Sequence, residues 1–123
     1  FGTWSCRQMI APDGNLWADI PAFLPAERFD CLLQFETCRL ERIVSIGHVT
    51  PPGEWYDQNE GEWVVLLQGQ ARLRFADDDR ERVLNSGDYL WIAAHRRHRV
   101  EWTSQRPPAI WLAFHFSKVA DGS

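Results

Sequence analysis

Glu62-Trp63-Val64-Val65-Leu66-Leu67-Gln68-Gly69-Gln70-Ala71-Arg72-Leu73-Arg74-Phe75 is the stretch that decides the fold of this chain. Residues 63–67 are consecutive large apolar side chains, a run of strand length that ends at a glycine, and they read as a strand buried on both faces. Beyond the glycine, Ala71, Leu73 and Phe75 alternate with Arg72 and Arg74, the two-residue period of a strand with one face inward and one in water. Outward from this pair the same texture repeats. Residues 31–35 and 38–46 flank a Glu36-Thr37 turn and read as a hairpin, and further short runs follow at 82–84, 89–92, 98–102 and 109–116. Many short strands without long helices predict an all-β sandwich or barrel. Residues 111–114 resemble 63–67 in being apolar on both faces, so one face lies in the core and the other meets a second sheet or a second copy of the chain.

Upstream, Pro12-Asp13-Gly14, Pro21 and Pro25 punctuate a segment of loops and turns, with one helical turn expected over 26–29. Pro51 and Pro52 mark a second loop, which delivers the chain to Tyr56. The organisation predicted is an N-terminal loop and short-helix extension over 1–28, a β-barrel domain over 29–118 and a tail over 119–123. A length of 123 residues suits one such domain.

Composition narrows the function by exclusion. The net charge of −4 argues against a nucleic-acid partner, because such modules displace counterions with a basic face that Arg96, Arg97 and Arg99 alone do not provide. No apolar run is long enough to span a bilayer, which predicts no membrane partner, and the first residues lack a basic region followed by an apolar one. Cys6, Cys31 and Cys38 form no CxxC pair or regular framework, so reduced thiols and a cytoplasmic location are expected. Phosphate loops, serine elbows and HExxH are absent from the sequence. Asp77-Asp78-Asp79 lacks the ligand alternation of a calcium loop and reads as a hairpin tip.

Two polar segments flank the strands. Tyr56-Asp57-Gln58-Asn59-Glu60-Gly61-Glu62 leads to Gly69, with six residues between Glu62 and that glycine. Gly87-Asp88 leads to Ala93, His95 and His98, with five residues between Gly87 and Ala93. These spacings resemble the two motifs of the cupin superfamily over most of the region 45–116. The resemblance implies a cupin-type double-stranded β-helix, or jelly-roll, barrel. It also implies that Glu62 and Gly69 match the first motif and Gly87 and His98 the second. The two histidines of the first motif are replaced, falling at Tyr56 and Gln58 or at Trp55 and Asp57. Ala93 stands for the motif proline and His95 for its glycine.

A tight divalent metal wants at least three protein ligands. The expected set is therefore Glu62 and His98 with an oxygen from Gln58 or Asp57, adjacent strand residues that would not ordinarily both point inward. Hard oxygen donors shift preference from copper toward iron, manganese, magnesium or zinc, and the expected cofactor is a divalent ion: Fe, Mn, Ni or Zn. The expected function is a metal-binding barrel acting on a small organic molecule held in the barrel cavity. The alternative is a non-catalytic binding or sensing barrel without metal. His95 is expected at the surface and His48 and His115 in hydrogen-bonded structural roles, and a solvated acidic loop is the plain alternative to any acid–base assignment for Glu54, Asp57 and Glu60. The two-sided apolar strands predict a homodimer.

Overall fold

The computed structural model describes residues 13–117, which form two antiparallel sheets and, among the described residues, no helix. The five-stranded sheet runs β1 (Arg28–Gln34), β2 (Cys38–Ser45), β8 (Ala109–Phe116), β3 (Gly61–Gln68) and β6 (Tyr89–Ile92). The three-stranded sheet runs β5 (Glu81–Leu84), β4 (Ala71–Phe75) and β7 (His98–Thr103). The strand order crosses repeatedly between distant parts of the chain, as a jelly roll requires, and the two sheets face each other across one core.

The alternation at Ala71–Phe75 holds, with Ala71, Leu73 and Phe75 buried and Arg72 and Arg74 exposed. From the larger sheet Ile43, Val64, Leu66, Ala109, Trp111 and Ala113 meet them. Gly69 sits between β3 and β4 at φ +86°, and an added Cβ would lie 2.6 Å from the Ser104 hydroxyl and 2.9 Å from the Pro108 carbonyl oxygen. Only a residue without a side chain fits this turn without displacing the backbone beside it.

The upstream segment differs from expectation at its end. Arg28 and Phe29 are not helical but open β1, where they pair with Val44 and Ile43. Edge pairing to an existing strand satisfies the backbone groups that a single helical turn would have left open. Before it, a turn at 15–18 places the Leu16 and Ala18 carbonyls against the Arg42 guanidinium, which also grips Asp30 at 2.6 Å. His48 donates from Nε2 to the Leu24 carbonyl and accepts the Ile46 amide on Nδ1, a structural role as expected. Cys38 is a free thiol, but Cys31 is disulfide-bonded, which corrects the expectation of reduced thiols at that position. Cys6 lies outside the described residues. No helix of the described residues is long and apolar enough to cross a membrane.

Candidate functional site

The inward face of the larger sheet is apolar at one end and charged at the other. On β2 the face that carries Ile43 continues back to Glu41 and Arg39, and on β8 the face that carries Trp111 and Ala113 continues to His115. On β3 Val64 and Leu66 share their face with Glu62, and Glu60 precedes it by one strand period. Register aligns them: Arg39 pairs with His115, and His115 pairs with Glu62. From the opposite sheet His98, paired to Phe75 at the start of β7, completes the group. Arg39, Glu41, Glu60, Glu62, His98 and His115 are all buried.

Burial of so many charges is tolerable only when they neutralise and hydrogen-bond one another. Arg39 Nη1 donates to both oxygens of Glu60 at 3.2 and 3.1 Å, and its Nε lies 3.7 Å from Glu41. His115 bridges the carboxylates, with Nε2 2.9 Å from Glu41 and Nδ1 3.3 Å from Glu60 and 3.9 Å from Glu62. Burial alone would push the His115 pKa down; hydrogen bonds with Glu41 and Glu60 and the charge of Glu62 outweigh it and raise it. Burial likewise works against an ionised Glu60, and His115 and Arg39 hold its carboxyl below the ordinary range. For Glu62 burial is again opposed, by the hydrogen bond with His98 and by the charge on His115, and the carboxyl titrates below its usual value.

Glu62 Oε1 and His98 Nε2 face each other at 3.5 Å. The other nitrogen of His98, Nδ1, donates to the Arg96 carbonyl at 2.9 Å, so Nε2 is the nitrogen turned to Glu62: it donates to the carboxylate when the ring is protonated, and a neutral ring offers a lone pair there instead. Tyr56 clamps the ring: its backbone exchanges two hydrogen bonds with His98, and its ring stacks on the imidazole at a centroid distance of 5.5 Å. Phe75 borders the same imidazole at 6.2 Å.

The other candidates separate from this pair. Asp57 bonds His95 Nδ1 at 2.9 Å with both side chains about half exposed or more, so the structure directs it away from Glu62 and His98. Gln58 lies one strand period from Tyr56 and Glu60, its Oε1 atom is buried, and its backbone carbonyl accepts the His95 amide at 2.6 Å. His95 is at the surface as expected, and its φ of 64° is the left-handed conformation that explains a glycine at the corresponding motif position. Trp55 lies against Arg74, Arg97 and Arg99 rather than beside the His98 ring.

Sequence reasoning missed Arg39 and Glu41 and offered a solvated loop as the plain alternative for Glu60, whereas Glu60 is buried in an ion pair. The available signal was the strand period. Glu60 shares a face with Glu62, and Arg39 and Glu41 share one with Ile43, a core residue.

Among the described residues no three His, Cys, Asp or Glu side chains are placed to hold a metal ion together. Glu62 and His98 supply one hard and one borderline donor, and Gln58 carries a buried amide oxygen as a further hard donor. That set fits the donor chemistry of a weakly held divalent ion with open positions. A cleft of about 530 Å³ elsewhere, between Trp17 and Ile110, shares no residue with the charged cluster.

Comparison with known proteins bears on this arrangement. A family model described as a cupin domain matches residues 43–115. No curated protein matches the chain. A solved structure from Ralstonia eutropha JMP134, described as a "putative mannose-6-phosphate isomerase", is 43% identical and superposes with a TM-score of 0.83 over 86% of this chain and 98% of its own. A cupin superfamily protein from Desulfitobacterium hafniense DCB-2 is 17% identical, with a TM-score of 0.70 over 93% of this chain and 99% of its own. KdgF from Halomonas sp. is 14% identical, with a TM-score of 0.64 over 80% and 86%. The last two show likeness of fold alone.

Proposed function

The chain belongs to the cupin family, and on that footing we propose that it binds a small organic molecule in the barrel interior at a divalent metal held by Glu62, His98 and the side-chain oxygen of Gln58. The observation that carries this reading is the buried Glu62–His98 pair, with His98 Nδ1 committed to a backbone carbonyl and Nε2 turned toward the carboxylate. A bound divalent ion there would supply Lewis-acid polarisation of a ligand oxygen. Around it the chain's own groups have distinct duties. Tyr56 and Phe75 orient the His98 ring and line the site with apolar surface. Glu62 is an ionised carboxylate available to a metal or to a proton donor of the ligand. His115 holds the Glu41, Glu60 and Glu62 carboxylates at fixed separations.

A second reading has a specific observation in its favour: no three His, Cys, Asp or Glu side chains among the described residues gather as a metal site. In that reading the interior binds its organic ligand without metal, and Glu62 and His98 bond the ligand directly. The description of the Ralstonia relative brings sugar phosphates into the panel of ligands to try.

Thermal shift separates the two readings, since a ligand that binds only the folded state raises the melting temperature with concentration. Chelator-treated protein is titrated with Fe(II), Mn(II), Ni(II) and Zn(II), and separately with organic acids, sugars and sugar phosphates. The first reading expects a metal-dependent rise that His98→Ala and Gln58→Ala each diminish. A rise with organic ligands alone, unaffected by metal, overturns it in favour of the second.

A further inference from the structure

The outer face of the three-stranded sheet sets arginine and tryptophan side by side. Arg72 and Arg74 leave β4 on that face two residues apart, a spacing of about 6.6–6.8 Å along the strand. Register places Trp102 of β7 beside Arg72 and Arg99 beside Arg74. The Arg72 guanidinium lies 5.4 Å from the Trp102 ring. One step along, the guanidinium groups of Arg74, Arg97 and Arg99 surround the half-buried indole of Trp55 at 5.7, 5.6 and 5.8 Å. Arg99 is fully employed: it pairs with Glu101 at 2.6 Å and donates to the carbonyls of Thr50, Pro51 and Glu54, which pins the loop that carries Trp55. Arg74 and Arg97 are exposed, and among the described residues their guanidinium groups meet the indole and no carboxylate.

We propose that this face docks an extended acidic segment of a partner protein, its alternate carboxylates set against Arg72 and against the Arg74–Arg97 pair. Three cations round one ring repel one another; the face of the indole offsets part of this, and an anion between Arg74 and Arg97 offsets more. Charge selects an anion, and spacing selects a chain. Side chains on one side of an extended peptide recur every two residues, about 6.6–6.8 Å, which is the interval between Arg72 and Arg74. Guanidinium takes a carboxylate through two parallel N–H groups, and Trp102 and Val83, 40 and 58% exposed, offer apolar contact on either side of Arg72. A nucleic-acid strand fits less well. Glu81 lies 4.0 Å from Arg72 and Glu101 is held by Arg99, so carboxylates interrupt the basic strip that a continuous phosphate backbone would follow. The net charge of −4 on the whole chain adds to that repulsion.

Fluorescence anisotropy with a dye-labelled dodecapeptide of alternating glutamate and serine tests the proposal, with chelator present so that no carboxylate reaches a metal. Wild-type protein is expected to bind it more tightly than the glutamine-for-glutamate peptide and more tightly than an oligothymidylate of equal charge, with affinity falling as salt rises. Arg74→Ala and Arg97→Ala are each expected to weaken binding about three- to fivefold, and the double variant about tenfold or more. Arg80→Ala, which removes the same charge from the exposed tip of the β4–β5 hairpin, is expected to leave affinity within about twofold of wild type. No binding by wild type, tighter binding of the oligothymidylate, or an equal loss in Arg80→Ala overturns the proposal. Should an alanine variant fail to fold, NMR on wild-type protein decides: the indole N–H resonances of Trp55 and Trp102 shift as peptide is added, and resonances that stay in place overturn it.

Discussion

Replacing Arg39 with Met tests whether the charged end of the barrel is held together by mutual neutralisation. Arg39 is fully buried and makes two hydrogen bonds to Glu60 at 3.2 and 3.1 Å, with Glu41 3.7 Å from its Nε. Methionine keeps much of the volume and removes the charge, leaving Glu41, Glu60 and Glu62 to share the imidazoles of His115 and His98. Breaking one side of a buried pair typically costs about 3–5 kcal/mol, because the surviving charge stays desolvated, whereas an exposed pair costs about 0–1 kcal/mol. For a domain of this size each kcal/mol moves the melting temperature by roughly 3–5 °C, so Arg39→Met is expected to melt about 10–20 °C lower. Urea denaturation followed by circular dichroism gives the free energy directly. The companion Glu60→Gln in the Arg39→Met background is expected to recover a large part of the loss, since it removes the stranded carboxylate. A loss under about 1 kcal/mol, or no recovery in the double variant, would show that the cluster is solvated rather than desolvated and refute the reasoning.

The same cluster predicts a pH profile. His115 has a folded pKa above its ordinary 6.5, so its contribution is complete below 6.5 and lost as pH rises through the folded value; Glu60, held below 4.5, contributes above 4.5 and loses that contribution as pH falls through its lowered value. Urea midpoints should therefore fall on both sides of the window between 4.5 and 6.5, and His115→Gln should flatten the alkaline limb; an unchanged alkaline slope in that variant contradicts the assignment. His95→Gly should be neutral or stabilising by up to about 1 kcal/mol in the same assay, because relief of a left-handed residue outweighs an exposed pair with Asp57; a loss above that would mean the His95–Asp57 contact matters more than its exposure suggests. Gly69→Ala should cost about 2 kcal/mol or more, from positive φ and from contact with Ser104 and Pro108. An alanine variant as stable as wild type would mean the β3–β4 turn relaxes freely.

The fold was legible because its strands carry the period that defines them. Ala71–Phe75 alternates cleanly, and Tyr89–Ile92 and Ala109–Phe116 end where the turn residues predict. The helical turn expected at 26–29 failed because pairing with Val44 and Ile43, residues more than a dozen positions away, decides the conformation of Arg28 and Phe29. At the site, Glu62 and His98 were legible from motif spacing, and the structure brings them to 3.5 Å. Glu60 was misread for a physical reason: its neighbours Asp57 and Asn59 make the segment look solvated, and its burial follows from Arg39, which reaches it from another strand. The partner of a buried charge is a tertiary fact, and composition near the charge does not reveal it.

One consequence joins the two faces of the larger sheet. Glu62 pairs with His115 while the next residues along, Trp63 and Phe114, pair on the opposite side. A slip of β3 by one residue against β8 would turn Glu62 out to water, away from His115, and drive Trp63 into a core already filled by Trp111 and Phe75. The register is thus specified twice, once by charges that need each other inside and once by rings that stack outside. Neither face by itself requires the other's chemistry, but the strand period binds them.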